Sequence, residues 1–380
     1  MLIVGDGGQD RQAGRFHRTL RLSPGTRAAC ARLHQGRAGL WFWRRFGASF
    51  PRMTSLTPLD ACLAQALAEM PPVPPEPLPP DAALGLVLAA DVTLPHDLPP
   101  MAQALRAGLA VAAFDLVGAS AQLPVPLAAP RRVLPGEALP PGTDAVLPED
   151  GAEAVAGLYA AIRSIAPGEG VRFAGHDGRA GEALAHAGQC MTSRHLFLVG
   201  LAGIAQVAVR LPRVRVALDD PAQVGFAANW LRGLGARITE DAPHLILRPA
   251  THHTPRLALS PGDTGWLERM GAALVLTLPP RFDGMLAALY ALGLPAMAAL
   301  TGAVPQVETR PLVRKVSSAL GLSELVLLRS DGQAWDPTPP GTITAGALAR
   351  AQAIAILPPE SEGLPAGAPL AATPIDSPFG

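Results

Sequence analysis

The sequence predicts an α/β multidomain protein in which β-rich modules flank a central α/β domain. Three observations carry this expectation. Between residues 92 and 150, short apolar segments alternate with proline and glycine turns, as in LPGEALPPGTDAVLPEDG. From Val214 onward, strand-like apolar runs alternate with segments of helical periodicity. After Pro305 the chain returns to apolar runs divided by turns at Asp331-Gly332, Glu362-Gly363 and Ala366-Gly367.

In chain order, the first element begins at Thr57-Pro58-Leu59-Asp60. Threonine suits a helix cap, proline the first helical position, and an acid in the first turn favours the dipole. Leu59, Leu63, Leu67 and Met70 then recur at helical spacing. Seven prolines within residues 71–80 end that helix and make a stiff, extended connector. Asp81 is expected to cap a second helix running to about Ala90, and residues 196–208 read as a further helix. In the central part, Val214, Val216 and Leu218 read as a buried strand. Asp220-Pro221 starts a helix presenting Val224, Ala227, Ala228, Leu231 and Leu234, which Gly235 ends. Further strands are expected at residues 244–247 and 273–278, with a helix after Arg281. Residues 284–307 carry no charge, but Gly293, Pro295 and Gly302 interrupt them, which favours buried helix over a membrane span. Residues 325–329 and 354–357 read as strands of the terminal module.

Composition sets the outer limits. The 380 residues are 49% hydrophobic and the Lys+Arg and Asp+Glu counts are equal, so the chain can bury substantial cores and has no bulk basic field for nucleic acid. Lys315 is the sole lysine, and the arginine excess over lysine reads as coding bias rather than anion recognition. Cys30, Cys62 and Cys190 are isolated, which argues against a disulfide framework or structural zinc and for a cytoplasmic compartment. Residues 1–52 hold ten arginines against Asp6 and Asp10, together with Trp41, Phe42 and Trp43. They suit a basic arm or interfacial anchor, or a segment upstream of a translation start at Met53.

The run PGEGVRFAGHDGRAGEALAHAG at residues 167–188 resembles the PGxNxRxxGEDxxxGE loop of the molybdopterin molybdotransferases, the family of MoeA and the gephyrin E domain. LPPGTDAVLPEDG is similar to that family's LPxGADAVVxxE. DAALGLVLAADVTLPHDLPP is similar to its opening helix, strand and loop, and ITAGALARAQAIAILPPESEGLPAGAPL to its closing β-domain. The resemblance begins at Met53, after the basic extension over residues 1–52, and implies helical and β-rich N-terminal domains over 53–205, a MoaB/MogA-like α/β domain over 206–304 and a C-terminal β-domain over 305–380. It implies a homodimer acting in molybdenum cofactor biosynthesis, with molybdopterin or molybdenum cofactor as ligand and Mg2+ if the chain is active. A molybdoenzyme or an active paralogue is the implied partner. No nucleic acid or membrane partner is expected.

The family's reaction transfers molybdate to adenylylated molybdopterin, which calls for anion-binding cations or N–H groups and for carboxylates. Against that pattern, Ala107 in MAQALRAGLAV stands where the family carries an aspartate, and HLILRPATHHTP lacks the glycine-rich SGGxSxG loop. Pro261-Gly262-Asp263-Thr264 puts a carboxylate where PGKP has a lysine, and Leu278-Pro279-Pro280-Arg281-Phe282 replaces GLPGNP. The resemblance therefore implies reduced or lost insertase activity, a working divergent enzyme and a non-catalytic scaffold being the alternatives.

Arg172, His176 and Asp177 match the family's loop positions. Arg172 and Asp177 read either as a remnant ligand site or as a pair across a glycine turn. Asp219 and Asp220 end the first strand of the α/β domain and are candidate Mg2+ ligands, although capping at Pro221 explains Asp220 fully. Arg281 follows the third strand and is a candidate phosphate contact. His244, His252 and His253 lack a metal-ligand spacing.

Overall fold

The first helix, Leu59–Leu67, buries Leu59, Cys62 and Ala66, while Leu63, Leu67 and the following Met70, expected on the apolar face, are only partly buried. In this computed structural model, which describes residues 56–155 and 158–379, it packs against the strand Trp266–Met270 of the central sheet, with Cys62 Sγ 3.4 Å from the Leu267 carbonyl. The basic extension expected over residues 1–52 lies outside the described residues. Thr57 does not cap this helix. Pro58 occupies the cap position, while Thr57 joins Leu257 in a parallel bridge, its N–H donating to Arg256 O at 2.9 Å. The proline-rich connector is extended as expected and gains partners: Glu76–Leu78 pairs with Val207–Arg210, which in turn pairs with Val87–Leu88.

The helix expected over residues 81–90 is absent. Its place is taken by a turn, where Gly85 has φ 78°, followed by the strand Val87–Leu88. The Leu88 N–H donates to Gln189 O at 2.9 Å and the Gly85 N–H to Met191 O at 2.8 Å, so long-range bonding overrides the local helical pattern. Residues 196–208 are likewise divided between the helix Ser193–Leu201 and the strand Val207–Arg210. Around them Ala83, Leu88, Met191, Val199, Val207 and Val209 form one small core. A second β-module places Gly108–Val111 between Arg131–Val133 and Ala145–Leu147, over a core of Leu109, Val111, Leu116, Leu147 and Ala161.

The central sheet has five strands in the order Arg237–Ile238, Arg213–Val216, Leu245–Pro249, Ala273–Leu278, Trp266–Met270. The first four run parallel and Trp266–Met270 pairs antiparallel at the edge. Strand order reverses between Arg213–Val216 and Leu245–Pro249, the arrangement that opens a crevice at the strand C-terminal ends. The helices Pro221–Gly233 and Phe282–Thr301 accompany the sheet. The second is long and apolar enough to span a membrane, but most of it is buried within the protein as core helix.

The terminal sheet contains six strands. Ser323–Asp331 lies between Leu259–Ser260, which it meets in parallel, and Ala353–Leu357, and it also forms a hairpin with Ala334–Pro337. Alternation explains why this strand is apolar on both faces. Leu325 and Leu327 join the central core, while Val326 and Leu328 face a separate core with Leu312 and Trp335.

Candidate functional site

A cavity of about 610 Å³ opens where the strand Ala273–Leu278 ends. Its rim is built by Pro279-Pro280-Arg281 and by the turn Pro261-Gly262-Asp263-Thr264, with Leu259 and Leu322 also lining it. The turn approaches the start of the following helix closely: a Cβ at Gly262 would lie 3.1 Å from the Gly284 carbonyl, and Gly262 has φ 118°. Glycine is required there on both counts. Gln223 of the helix Pro221–Gly233 donates to Pro280 O at 2.7 Å and fixes the opposite rim.

The charged groups of this cavity pair with one another. Arg256 holds the Asp263 carboxylate, and Arg281 folds back onto Asp283, its Nε 3.1 Å from Oδ1. Asp263 is therefore not a free negative charge, and Arg281 is not a free cation. Sequence reading singled out Asp263 and Arg281 but missed both partners, which lie seven and two residues away and face them only in the folded turn.

The other sequence candidates do not line this cavity. Arg172 Nη2 lies 2.5 Å from Asp177 Oδ1, so these two pair across the glycine turn, and His176 is exposed beside them. The loop is bound to residues 94–99 by backbone bonds from Leu98 N to Gly178 O at 2.8 Å and from Asp177 N to Leu98 O at 2.8 Å. In the same loop Glu169 accepts from Arg106 Nη2 at 2.8 Å, and Arg106, with the Ala166 N–H, holds its carboxyl below the usual range. Asp220 caps the helix Pro221–Gly233 by accepting from Ala222 N at 2.9 Å, and Asp219 is exposed. Among the described residues no group of three or more His, Cys, Asp or Glu could hold a metal ion. His244 is structural. Its Nδ1 accepts from Arg213 N at 3.0 Å, and burial, followed by the Arg213 charge, holds the ring below its ordinary pKa. His252 and His253 are exposed in the loop after Leu245–Pro249.

Residues 57–203 match the family model for the MoeA N-terminal region, domains I and II. The chain is 32% identical over 152 residues to molybdopterin molybdenumtransferase 2 of Mycobacterium tuberculosis, a match covering 35% of this chain and 37% of that protein. The chain thus spans little more than a third of the length of that curated relative. The crystal structure of the molybdopterin biosynthesis moeA protein from Pyrococcus horikoshii OT3 superposes with TM-score 0.64 at 20% identity, covering 84% of this chain and 100% of that chain. A molybdenum cofactor biosynthesis protein from Pyrococcus furiosus superposes with TM-score 0.54 at 19% identity over 84% of this chain and 99% of its own. Residues 57–203 thus carry a region similar to the MoeA N-terminal domains I and II, and the chain shares its fold with the MoeA protein of known structure.

Ala107 is exposed immediately before the strand Gly108–Val111, at the position where the resemblance implies a carboxylate. A second charged site was not legible in the sequence. Arg314, Arg329, Asp336 and Arg350 line a cavity of about 260 Å³. Asp336 receives Arg314 Nη2 at 2.9 Å and Arg329 Nη2 at 2.8 Å. Arg350 has no carboxylate partner among the described residues. Three guanidiniums against one carboxylate leave an excess of positive charge, the arrangement that suits an anion. Reading the arginine content as coding bias conceals this group, whose members sit on two strands and two separate loops.

Proposed function

We propose that the protein acts in molybdenum cofactor biosynthesis by holding a molybdopterin-type anionic ligand, with insertase activity reduced or lost. The observation that carries this reading is the internal pairing of Arg256 with Asp263 and Arg281 with Asp283, which leaves the strand-end cavity without a cation free for molybdate. The names of its relatives and the three-arginine pocket support an anionic pterin ligand. The five-stranded sheet supports a MoaB/MogA-like central domain over residues 206–304, and the family relation supports a cytoplasmic homodimer with a molybdoenzyme or active paralogue as partner. Remnant ligand contacts at Arg172, His176 and Asp177 belong to the same reading.

Complementation tests it. In cells lacking their own insertase, the soluble chain is expected to leave molybdoenzyme activity absent while molybdopterin co-purifies with it. A second reading, a working divergent insertase, draws on Arg350, which has no carboxylate partner among the described residues. Restored molybdoenzyme activity would establish that reading and remove the first, while absence of both activity and bound pterin would leave the scaffold alternative.

A further inference from the structure

The terminal sheet gathers positive charge from four separate segments. Arg314 lies in the loop before the strand Val316–Ser317, Arg329 on the strand Ser323–Asp331, Asp336 on its hairpin partner Ala334–Pro337, and Arg350 in the turn before Ala353–Leu357. The hairpin register sets Arg329 directly opposite Asp336, and the cavity lined by these groups holds about 260 Å³. That volume lies below the roughly 300–1,000 Å³ of sites that bury a whole small molecule, so it suits a compact charged group rather than an entire ring system.

Asp336 uses only part of the donor capacity around it. Its Oδ1 accepts from Arg314 Nη2 at 2.9 Å and its Oδ2 from Arg329 Nη2 at 2.8 Å, so one carboxylate holds two guanidiniums. Arg314 is fixed further, its Nε and Nη2 donating to Pro337 O at 3.2 and 2.7 Å. Nη1 of Arg314, Nε and Nη1 of Arg329 and the whole Arg350 guanidinium have no protein acceptor among the described residues. No second carboxylate lines the cavity. One arginine would neutralise Asp336; the other two repel one another unless an anion balances them. Two uncompensated positive charges match a dianion. Donors arriving from three segments suit the tetrahedral oxygens of a phosphoryl group better than the two coplanar oxygens of a carboxylate.

We propose that Arg314, Arg329 and Arg350 form a binding site for a dianionic phosphoryl group, with Asp336 positioning two of the three arginines while weakening the site's net charge. The assignment deepens the anionic-ligand reading above and rests on it only for what carries the phosphoryl group, the pterin ligand or a free phosphate. The side chains of Arg314 and Arg329 are 60% and 54% exposed, so water and salt compete for them, and inorganic phosphate is expected to bind in the millimolar range.

Calorimetric titration of the full chain with inorganic phosphate at low ionic strength tests the assignment, with acetate as the planar monoanion. Phosphate is expected to bind saturably, and acetate at least about tenfold more weakly. For a dianion ~5 Å from the lost charge, Arg350→Gln should weaken phosphate about tenfold. Arg131→Gln, which removes an equal charge from the exposed start of the strand Arg131–Val133, should change it less than about twofold. Asp336→Asn should tighten phosphate about tenfold, a gain that a purely structural ion pair does not produce. Matched thermal unfolding of the variants separates changed binding from changed fold. Molybdopterin that co-purifies with the native chain but not with Arg350→Gln identifies the pterin as carrier of the phosphoryl group. Saturable phosphate binding by a chain that never carries pterin supports a free phosphate ligand and removes the pterin reading alone. Absence of saturable phosphate binding, acetate bound as tightly, or affinity unmoved by Arg350→Gln or by Asp336→Asn each overturns the proposal.

Discussion

Replacing Asp263 with lysine should convert the strand-end cavity into an anion site. In the native chain its two cations, Arg256 and Arg281, are matched by Asp263 and Asp283. Asp263→Lys frees Arg256 and shifts the local charge by two units. For an anion centred at ~6 Å in water-like dielectric, each charge pair is worth about 0.7 kcal/mol. Two units acting on a dianion multiply that fourfold, to about 2.8 kcal/mol, and physiological salt roughly halves it, to about 1.3 kcal/mol. The expected gain in molybdate affinity is therefore about tenfold, and about threefold for Asp263→Asn. Equilibrium dialysis with molybdate, at low and at physiological ionic strength, measures both. The gain should grow as salt is lowered. Affinity that is unchanged in Asp263→Lys, or a gain indifferent to salt, would show that the paired charges do not govern access of anions to this cavity.

Four further outcomes are expected. Asp220→Ala should cost about 1 kcal/mol in urea unfolding through loss of the cap on Ala222 N, whereas exposed Asp219→Ala should stay within about 0.5 kcal/mol. Gly108→Ala should destabilise by about 1–3 kcal/mol, because its Cβ would lie 2.3 Å from the Leu147 carbonyl oxygen in the neighbouring strand; an unshifted denaturation midpoint would contradict the close packing seen there. Leu276→Ala, fully buried in the central sheet, should cost about 2–5 kcal/mol by the same measurement. His244 has a folded pKa below its unfolded value of about 6.5, so its stabilising contribution is present above that pH and is lost as pH falls toward the folded value. Unfolding free energies at pH 7.5 and 5.5 should differ less in His244→Gln than in the native chain.

Much of the fold was legible because local pattern and tertiary role agreed. The strand Ala273–Leu278 appears over the same residues that its apolar run predicts, with only Thr277 polar, and Asp220-Pro221 starts a helix as its cap chemistry requires. The pattern misled where distant partners intervened. Apolar residues near Leu84 and Val87 resemble a helix, but Gln189 and Met191 offer strand partners that sequence proximity does not reveal. The edge strand Trp266–Met270 was missed because its last two residues are exposed and charged or polarisable, which blunts the apolar signal. Site chemistry was less legible still. Asp263 could be seen as a reversal of charge, but not as half of a pair, and Arg314, Arg329 and Arg350 converge only through the folding of the terminal sheet.

The two residues Leu259–Ser260 give the strand-end cavity a mechanical dependence on a part of the chain far ahead of them. They form a strand of the terminal sheet by pairing in parallel with Ser323–Glu324, and the turn that carries Asp263 begins at the very next residue. Tilting the terminal sheet would pull on that turn, and so on the mouth of the cavity, without any change in the central sheet. A fragment ending near residue 304 would leave this short strand with an open edge and its turn untethered. The lip of the cavity is in this sense held from outside, by a module that the chain makes only after the cavity floor is complete.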